Sequence, residues 1–226
     1  MIRFDTVSKR YAGNQDALKE VSFGIDAGEF VFLTGHSGAG KSTVLKLLSV
    51  QERPTRGTVL IDGKNVGQVR ARGIPAVRRG IGQVFQDHRL LADRTLFDNV
   101  ALPLIIAGTA RADIEKRVRV ALDKVGLLAR ERALPAQLSA GEQQRVGIAR
   151  AIVGAPPLVI ADEPTGNLDP QLAAEIMALF GTLTQAGTTV LVASHDLHLI
   201  QRMKRRVLVL DRGRLIDDFR PSTRDG

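Results

Sequence analysis

The sequence predicts an α/β fold whose sheet is largely parallel. Short apolar runs of strand length, in FVFLT (30–34), PPLVIADEP (156–164) and TTVLVASHD (188–196), alternate with segments of helical spacing. Strands buried on both faces read as such runs, and alternation with helices supplies the layers that cover them. The third observation is a glycine-rich turn, residues 35 to 43, that joins FVFLT to a helix.

Taken in chain order, LKEVSFGID alternates Val21, Phe23 and Ile25 with polar neighbours, as a half-buried strand does. The Ala27-Gly28 turn leads into FVFLT, and KSTVLKLLSV follows the glycine-rich turn with Val44, Leu47 and Leu48 on one helical face. GTVLIDGK (57–64) is a strand closed by an Asp-Gly turn. One reading of residues 87 to 110 is an ordinary hydrophobic connection, in which Leu96, Val100 and Leu102 do no more than cover the core. An amphipathic helix is expected over 111–128, with Ile114, Val118, Ala121, Leu122 and Val125 on one side. LSAGEQQRVGIARAIV and PQLAAEIMALFGTLTQ are the remaining helices, and RPSTRDG at the end is expected to be loosely ordered.

Composition narrows the function. The 226 residues, 44% hydrophobic, suffice for a substantial core. No cysteine is present, which excludes disulfides and thiolate metal sites. MIRFDTVSKRY lacks the apolar core of a signal peptide, and the longest apolar run, VALPLIIAG (100–108), is far below the roughly 20 residues that span a bilayer. A soluble chain is expected, reaching any membrane through a partner. The net charge of +8 is concentrated at 70–79 and 202–214. Such patches attract nucleic acid or anionic lipid, or serve only as a hydrated surface.

GHSGAGKST (35–43) fills every fixed position of G-x-x-x-x-G-K-[ST], between a strand and a helix. Gly35, Gly38 and Gly40 let successive N–H groups of His36, Ser37, Ala39 and Thr43 turn toward an anion, at a helix N-terminus that favours negative charge. Lys41 supplies a point charge for β- and γ-phosphates, and Ser42 a hydroxyl for Mg²⁺. LVIADEP then ends a buried strand in two carboxylates: Asp162 suits Mg²⁺, which takes one or two carboxylates, and Glu163 is free to orient or deprotonate water. His195 and His198 stand at i, i+3, but no third ligand accompanies them, so no metal site is expected there. Ser139 and Glu142 form an S-x-x-E capping box, and a capped helix start is also an anion site.

With these motifs together, the chain resembles the ATP-binding subunits of ABC transporters over nearly its whole length, and LSAGEQQR (138–145) resembles their signature motif. The resemblance implies a P-loop NTPase fold of ABC type in one domain, 1–226. A RecA-like core with an N-terminal antiparallel β subdomain takes about 1–86 and 155–220, and a helical subdomain with the signature takes about 87–154. ATP and Mg²⁺ are the implied ligands. Gln86 in VFQD is then the Q-loop glutamine, acting in catalysis and joining Ser42 and Asp162 at the metal; Asp169 belongs to the D-loop. His195 donates to the γ-phosphate, Tyr11 stacks on adenine, and Lys41 and Glu163 complete the catalytic set. Two copies pair head to tail on ATP, so Ser139 and Gly141 act in trans on nucleotide held by the partner. The family pattern has glycine where this chain has Ala140; a negative φ is expected there, which leaves the turn unstrained.

VFQDHRLLADRTLFDNVALPL (84–104) is similar to the cell-division FtsE family. That resemblance implies an FtsX-like integral membrane partner, a peripheral location on the cytoplasmic face of the bacterial inner membrane, and control of cell-wall hydrolysis rather than transport. His88, Arg89, Asp93 and Arg94 are the expected exposed contacts. Two alternatives stand beside it: the ATPase of a lipoprotein-release or peptide/macrolide-export transporter, and a soluble ABC ATPase acting on DNA or ribosomes. Residues 44–137 hold no sustained heptads, so the coiled coil of the DNA-repair relatives is absent and no nucleic-acid partner is expected.

Overall fold

The apolar runs become strands whose alternate residues serve two cores. In the computed structural model, which describes residues 1–13, 15–166 and 168–221, strands β1 (Ile2–Tyr11), β2 (Gln15–Ile25), β4 (Arg56–Ile61) and β5 (Lys64–Asn65) form an antiparallel sheet in the order β2-β1-β4-β5. The larger sheet has six strands, β10-β9-β3-β8-β7-β6: β3 (Phe30–Thr34), β6 (Ile81–Val84), β7 (Leu158–Asp162), β8 (Thr189–Ala193), β9 (Arg206–Asp211) and β10 (Arg214–Phe219). All its pairings are parallel except the β9-β10 hairpin.

FVFLT is unbroken because both its faces are covered. Phe30 and Phe32 enter one core with Val159, Val190 and Val192; Val31 and Leu33 enter the other with Ile160, Leu191 and Leu208. The second core lies between the two sheets and takes in Phe4, Val21 and Ile25, together with Val44, Leu47 and Leu48 of α1 (Lys41–Leu48). Burying each such side chain contributes about 1.5–3 kcal/mol.

The helices between are α2 (Ile74–Arg79), α3 (Leu96–Ile106), α4 (Arg111–Lys124), α5 (Ala140–Ile152), α6 (Pro170–Gln185) and α7 (Leu197–Met203). Three of these, α3, α4 and α5, pack on one another, joined to the first core through Leu96, Val100, Leu122 and Ile148. Side-chain caps fix several starts: Thr95 for α3, Ser139 for α5, Asp169 for α6 and Asp196 for α7. No helix among the described residues is long and apolar enough to cross a membrane.

Several expectations need correction. The alternative that 87–110 is only a hydrophobic connection falls short, since α3 occupies about half of it despite Pro103. The amphipathic helix stops at Lys124, where Gly126 turns left-handed. The basic segment 202–214 is not simply a charged surface: RVLVLD is β9, and Arg206 within it is neutralised by Glu29 at 3.1 Å and Asp218 at 2.7 Å. Of the expected loose tail, Arg220 pairs with Glu29 at 2.8 Å, while 222–226 lie outside the described residues.

Candidate functional site

Parallel strands deliver their C-terminal ends to one edge of the sheet, and ligand sites form there. Here β3, β7 and β8 end side by side, releasing the turn 35–40, the pair Asp162-Glu163 and the segment Ser194-His195. They border a cleft of about 560 Å³. Its walls include Tyr11, His36, Ser37, Gly38, Ala39, Gly40, Lys41, Ser42, Thr43, Gln86, Asp162, Glu163 and His195, with Asp16 and Ala17 besides. Of the sequence-expected site residues, Gly35, Ser139 and Gly141 are not on this wall.

The turn has the backbone a phosphate cradle needs. Gly38 has φ +80, open to glycine at no steric cost. At Gly35, φ +148, a Cβ would stand 2.2 Å from the Leu210 carbonyl oxygen, so no side chain fits. The Lys41 ammonium lies over the turn, donating to the carbonyls of Gly35 at 2.6 Å and His36 at 3.3 Å. His36 is tied outward, Nε2 to Asp211 Oδ1 at 2.6 Å; the Ser37 carbonyl and then Asp211 raise its pKa.

Ser42 and Asp162 face each other across the floor. Burial pushes the Asp162 carboxyl up, the Ser42 hydroxyl hydrogen bond opposes this, and the Glu163 charge adds to the rise. Two oxygens of hydroxyl and carboxylate type, with the Gln86 amide on the same wall, match the hard-donor chemistry of Mg²⁺. No group of three or more His, Cys, Asp or Glu able to hold a metal occurs among the described residues. This donor set therefore suits a cation that arrives with phosphate oxygens.

Glu163 is held in a left-handed conformation, φ 48, which costs a non-glycine residue of order 1–3 kcal/mol. Its N–H donates to the Ala193 carbonyl at 2.9 Å, and its side chain is 12% exposed. His195, exposed at the rim, places Nδ1 2.8 Å from Glu163 Oε1. Sequence reasoning gave these two residues separate duties and missed their contact, as it missed Asp16, Ala17 and Asp211.

The signature turn lies away from the cleft. Ser139 Oγ accepts from the Glu142 N–H at 3.3 Å, and Glu142 Oε2 accepts from the Ser139 N–H at 2.9 Å, a complete capping box. The Ser139 N–H, with Arg130, holds the Glu142 carboxyl below its usual range. Ala140 is the first residue of α5 and is not left-handed, so alanine carries no strain there.

One expected contact residue turns inward. His88 is half-buried with Nδ1 bonded to Gln144 Oε1, so it is not an exposed surface group. It sits at φ 58, followed by Arg89 at φ 50, and the half-buried Arg150 donates to both carbonyls at 2.6 and 2.7 Å. Arg89, Asp93 and Arg94 are exposed, and Arg89 also lies over the Phe85 ring at 4.3 Å.

Comparison with known proteins agrees with this layout. Residues 18–166 match the ABC transporter family model. The chain is 54% identical over 215 residues to the cell division ATP-binding protein FtsE of Escherichia coli (strain K12), covering 95% of this chain and 97% of that protein. It is 46% identical to FtsE of Bacillus subtilis (strain 168), covering 96% of each. A dimeric, post-hydrolysis structure of the ATP-binding cassette MJ0796 bound to ADP and Pi superposes with TM-score 0.92 at 35% identity, covering 98% of this chain and 99% of that one. The chain belongs to the ABC transporter family, within it to the FtsE family of cell division ATP-binding proteins, and is an ATPase.

Proposed function

We propose that this chain is the ATP-hydrolysing subunit of a complex with an FtsX-like integral membrane protein at the cytoplasmic face of the membrane. ATP-driven pairing of two copies relays a signal through that partner to control cell-wall hydrolysis during division. The observation that carries the reading is the division of the machinery: Lys41, Asp162, Glu163 and His195 line one cleft, while Ser139 lies outside it. A single copy thus presents a cleft without its signature turn, and a second copy placed head to tail supplies one.

Within the cleft, Tyr11 stacks on adenine while the 35–43 turn and Lys41 take the phosphates. Ser42, Asp162 and Gln86 would hold Mg²⁺, which would supply positive charge to neutralise the phosphates. Glu163 orients water and takes its proton; His195, bonded to Glu163, orients that carboxylate and reaches the γ-phosphate. Ser139 and the Gly141 backbone close over the phosphate from the partner copy. Residues 87–154 form the helical subdomain, and Arg89, Asp93 and Arg94 are available to the membrane partner.

The test is to recover the tagged chain from solubilised native membranes and identify the integral protein that accompanies it. Stoichiometric recovery of an FtsX-like protein supports the reading; a lipoprotein-export permease, or none, defeats it.

A further inference from the structure

One charged contact lies against the residue assigned to the base: Tyr11 lines the cleft, and Lys9, which touches its ring, is not among the cleft-lining residues. Lys9 and Tyr11 are two apart on β1, so their side chains leave the same face of the strand. Lys9 Nζ stands 4.9 Å from the centroid of the Tyr11 ring, a cation over an aromatic face. The same atom lies 2.6 Å from Glu52 Oε2, and the Lys9 side chain is only 12% exposed. Glu52 follows α1 closely, its N–H donating to the Lys46 carbonyl at 3.2 Å. The contact therefore runs from the ring to the helix that carries Lys41 and Ser42.

The hydroxyl of Tyr11 is buried and finds no hydrogen-bond partner among the described residues. The ring's orientation is thus not set through its oxygen, and the cation against its face supplies a directional hold. We propose that Lys9 is a positioning residue for the purine base. Its ammonium, pinned by Glu52, supports the rear of Tyr11 and keeps the opposite ring face toward the cleft, so less ordering is left for nucleotide binding to impose. The proposal rests on the reading of Tyr11 as the adenine-stacking residue.

The experiment compares ATP with inorganic tripolyphosphate, each with Mg²⁺, titrated calorimetrically into the full chain and into Lys9→Met, Lys9→Arg and Tyr11→Ala. Tripolyphosphate carries the charge without a base, so it reports on the fold and the phosphate turn alone. Lys9→Met is expected to weaken ATP about threefold to tenfold and to leave tripolyphosphate within about twofold. Lys9→Arg, which keeps both the cation and a donor for Glu52, is expected to restore most of the ATP affinity. Equal losses for the two ligands in Lys9→Met, or no loss at all, overturn the proposal. Tyr11→Ala separates the two ideas. If it leaves ATP affinity intact, stacking itself is wrong and the proposal falls with it. If it weakens ATP selectively while Lys9→Met does not, the role of Lys9 alone is lost.

Discussion

His195 Nδ1 lies 2.8 Å from Glu163 Oε1, bridging the ends of two neighbouring parallel strands. The pairing of Asp162 with Ala193 in the β7-β8 register is what brings the residues just beyond each strand together. With a neutral ring, Nδ1–H donating to the carboxylate leaves Nε2 an acceptor. Donation from Nε2 to a phosphate oxygen then requires an imidazolium, or release of Glu163. The pair is therefore read as one unit in which the histidine aims the base.

Glu163→Gln retains the size and a hydrogen-bonding oxygen while removing the proton acceptor. Hydrolysis is expected to fall about 100-fold or more, with ATP affinity little changed. Unable to cleave, the variant accumulates as an ATP-bound dimer. Single-turnover kinetics and light scattering with Mg²⁺ and ATP check both parts. Wild-type turnover would remove Glu163 from the role of base.

Lys41 rests on carbonyls of its own turn at 2.6 and 3.3 Å, so its charge is already placed over the cradle. Lys41→Ala removes charge-assisted bonds to two phosphates and is expected to weaken ATP about 100-fold. Equilibrium titration measures this directly; unchanged affinity removes the phosphate-turn assignment.

Asp162 carries a stability cost in the nucleotide-free chain. Burial raises its folded pKa above the unfolded value, so ionisation penalises the folded chain as pH rises past the carboxylate range; protonation at low pH removes the penalty. Asp162→Asn is expected to raise the melting temperature of the nucleotide-free chain at pH 7 by about 2–4 °C, the gain shrinking toward acid pH. The same variant should lose the Mg²⁺-dependent part of its stabilisation by ATP. Melting curves across pH, with and without MgATP, decide it: a variant less stable than its parent at pH 7 contradicts the argument.

What was legible in the sequence was whatever left a local mark. FVFLT, LVIAD and TVLVA read as buried strands because both faces of each are covered, and Ser139 announced α5 through its capping box. The strand β9 was hidden because it opens on Arg206 directly after a run of basic residues; the compensating Glu29 is 177 positions away. Gly82 concealed β6: a Cβ there would stand 2.2 Å from the Ala151 carbonyl oxygen, a constraint that only packing reveals. The cleft residues were readable one motif at a time. The Glu163–His195 contact was not, because strand register is set by the sheet and not by either segment. His88 was misplaced for the same reason, since its partner Gln144 sits 56 positions on, across a helix packing that no local pattern encodes.

The last prediction concerns which copy supplies Ser139. Alanine there confounds the answer, since losing the cap costs α5 about 1 kcal/mol. Ser139→Asp keeps a good N-cap and sets a carboxylate where the partner's phosphate is to dock, so it is expected to block closure without unfolding the helix. Mixed with Lys41→Ala, the two inactive chains form heterodimers in which one of the two shared clefts has both its lysine and its serine intact. Random pairing makes half the dimers mixed, so turnover should recover to about a quarter of the wild-type value. If the serine served the cleft of its own chain, every cleft in the mixture would lack either its lysine or its serine, whichever chains paired. The mixture would then stay as inactive as its components, which a titration of one variant into the other resolves.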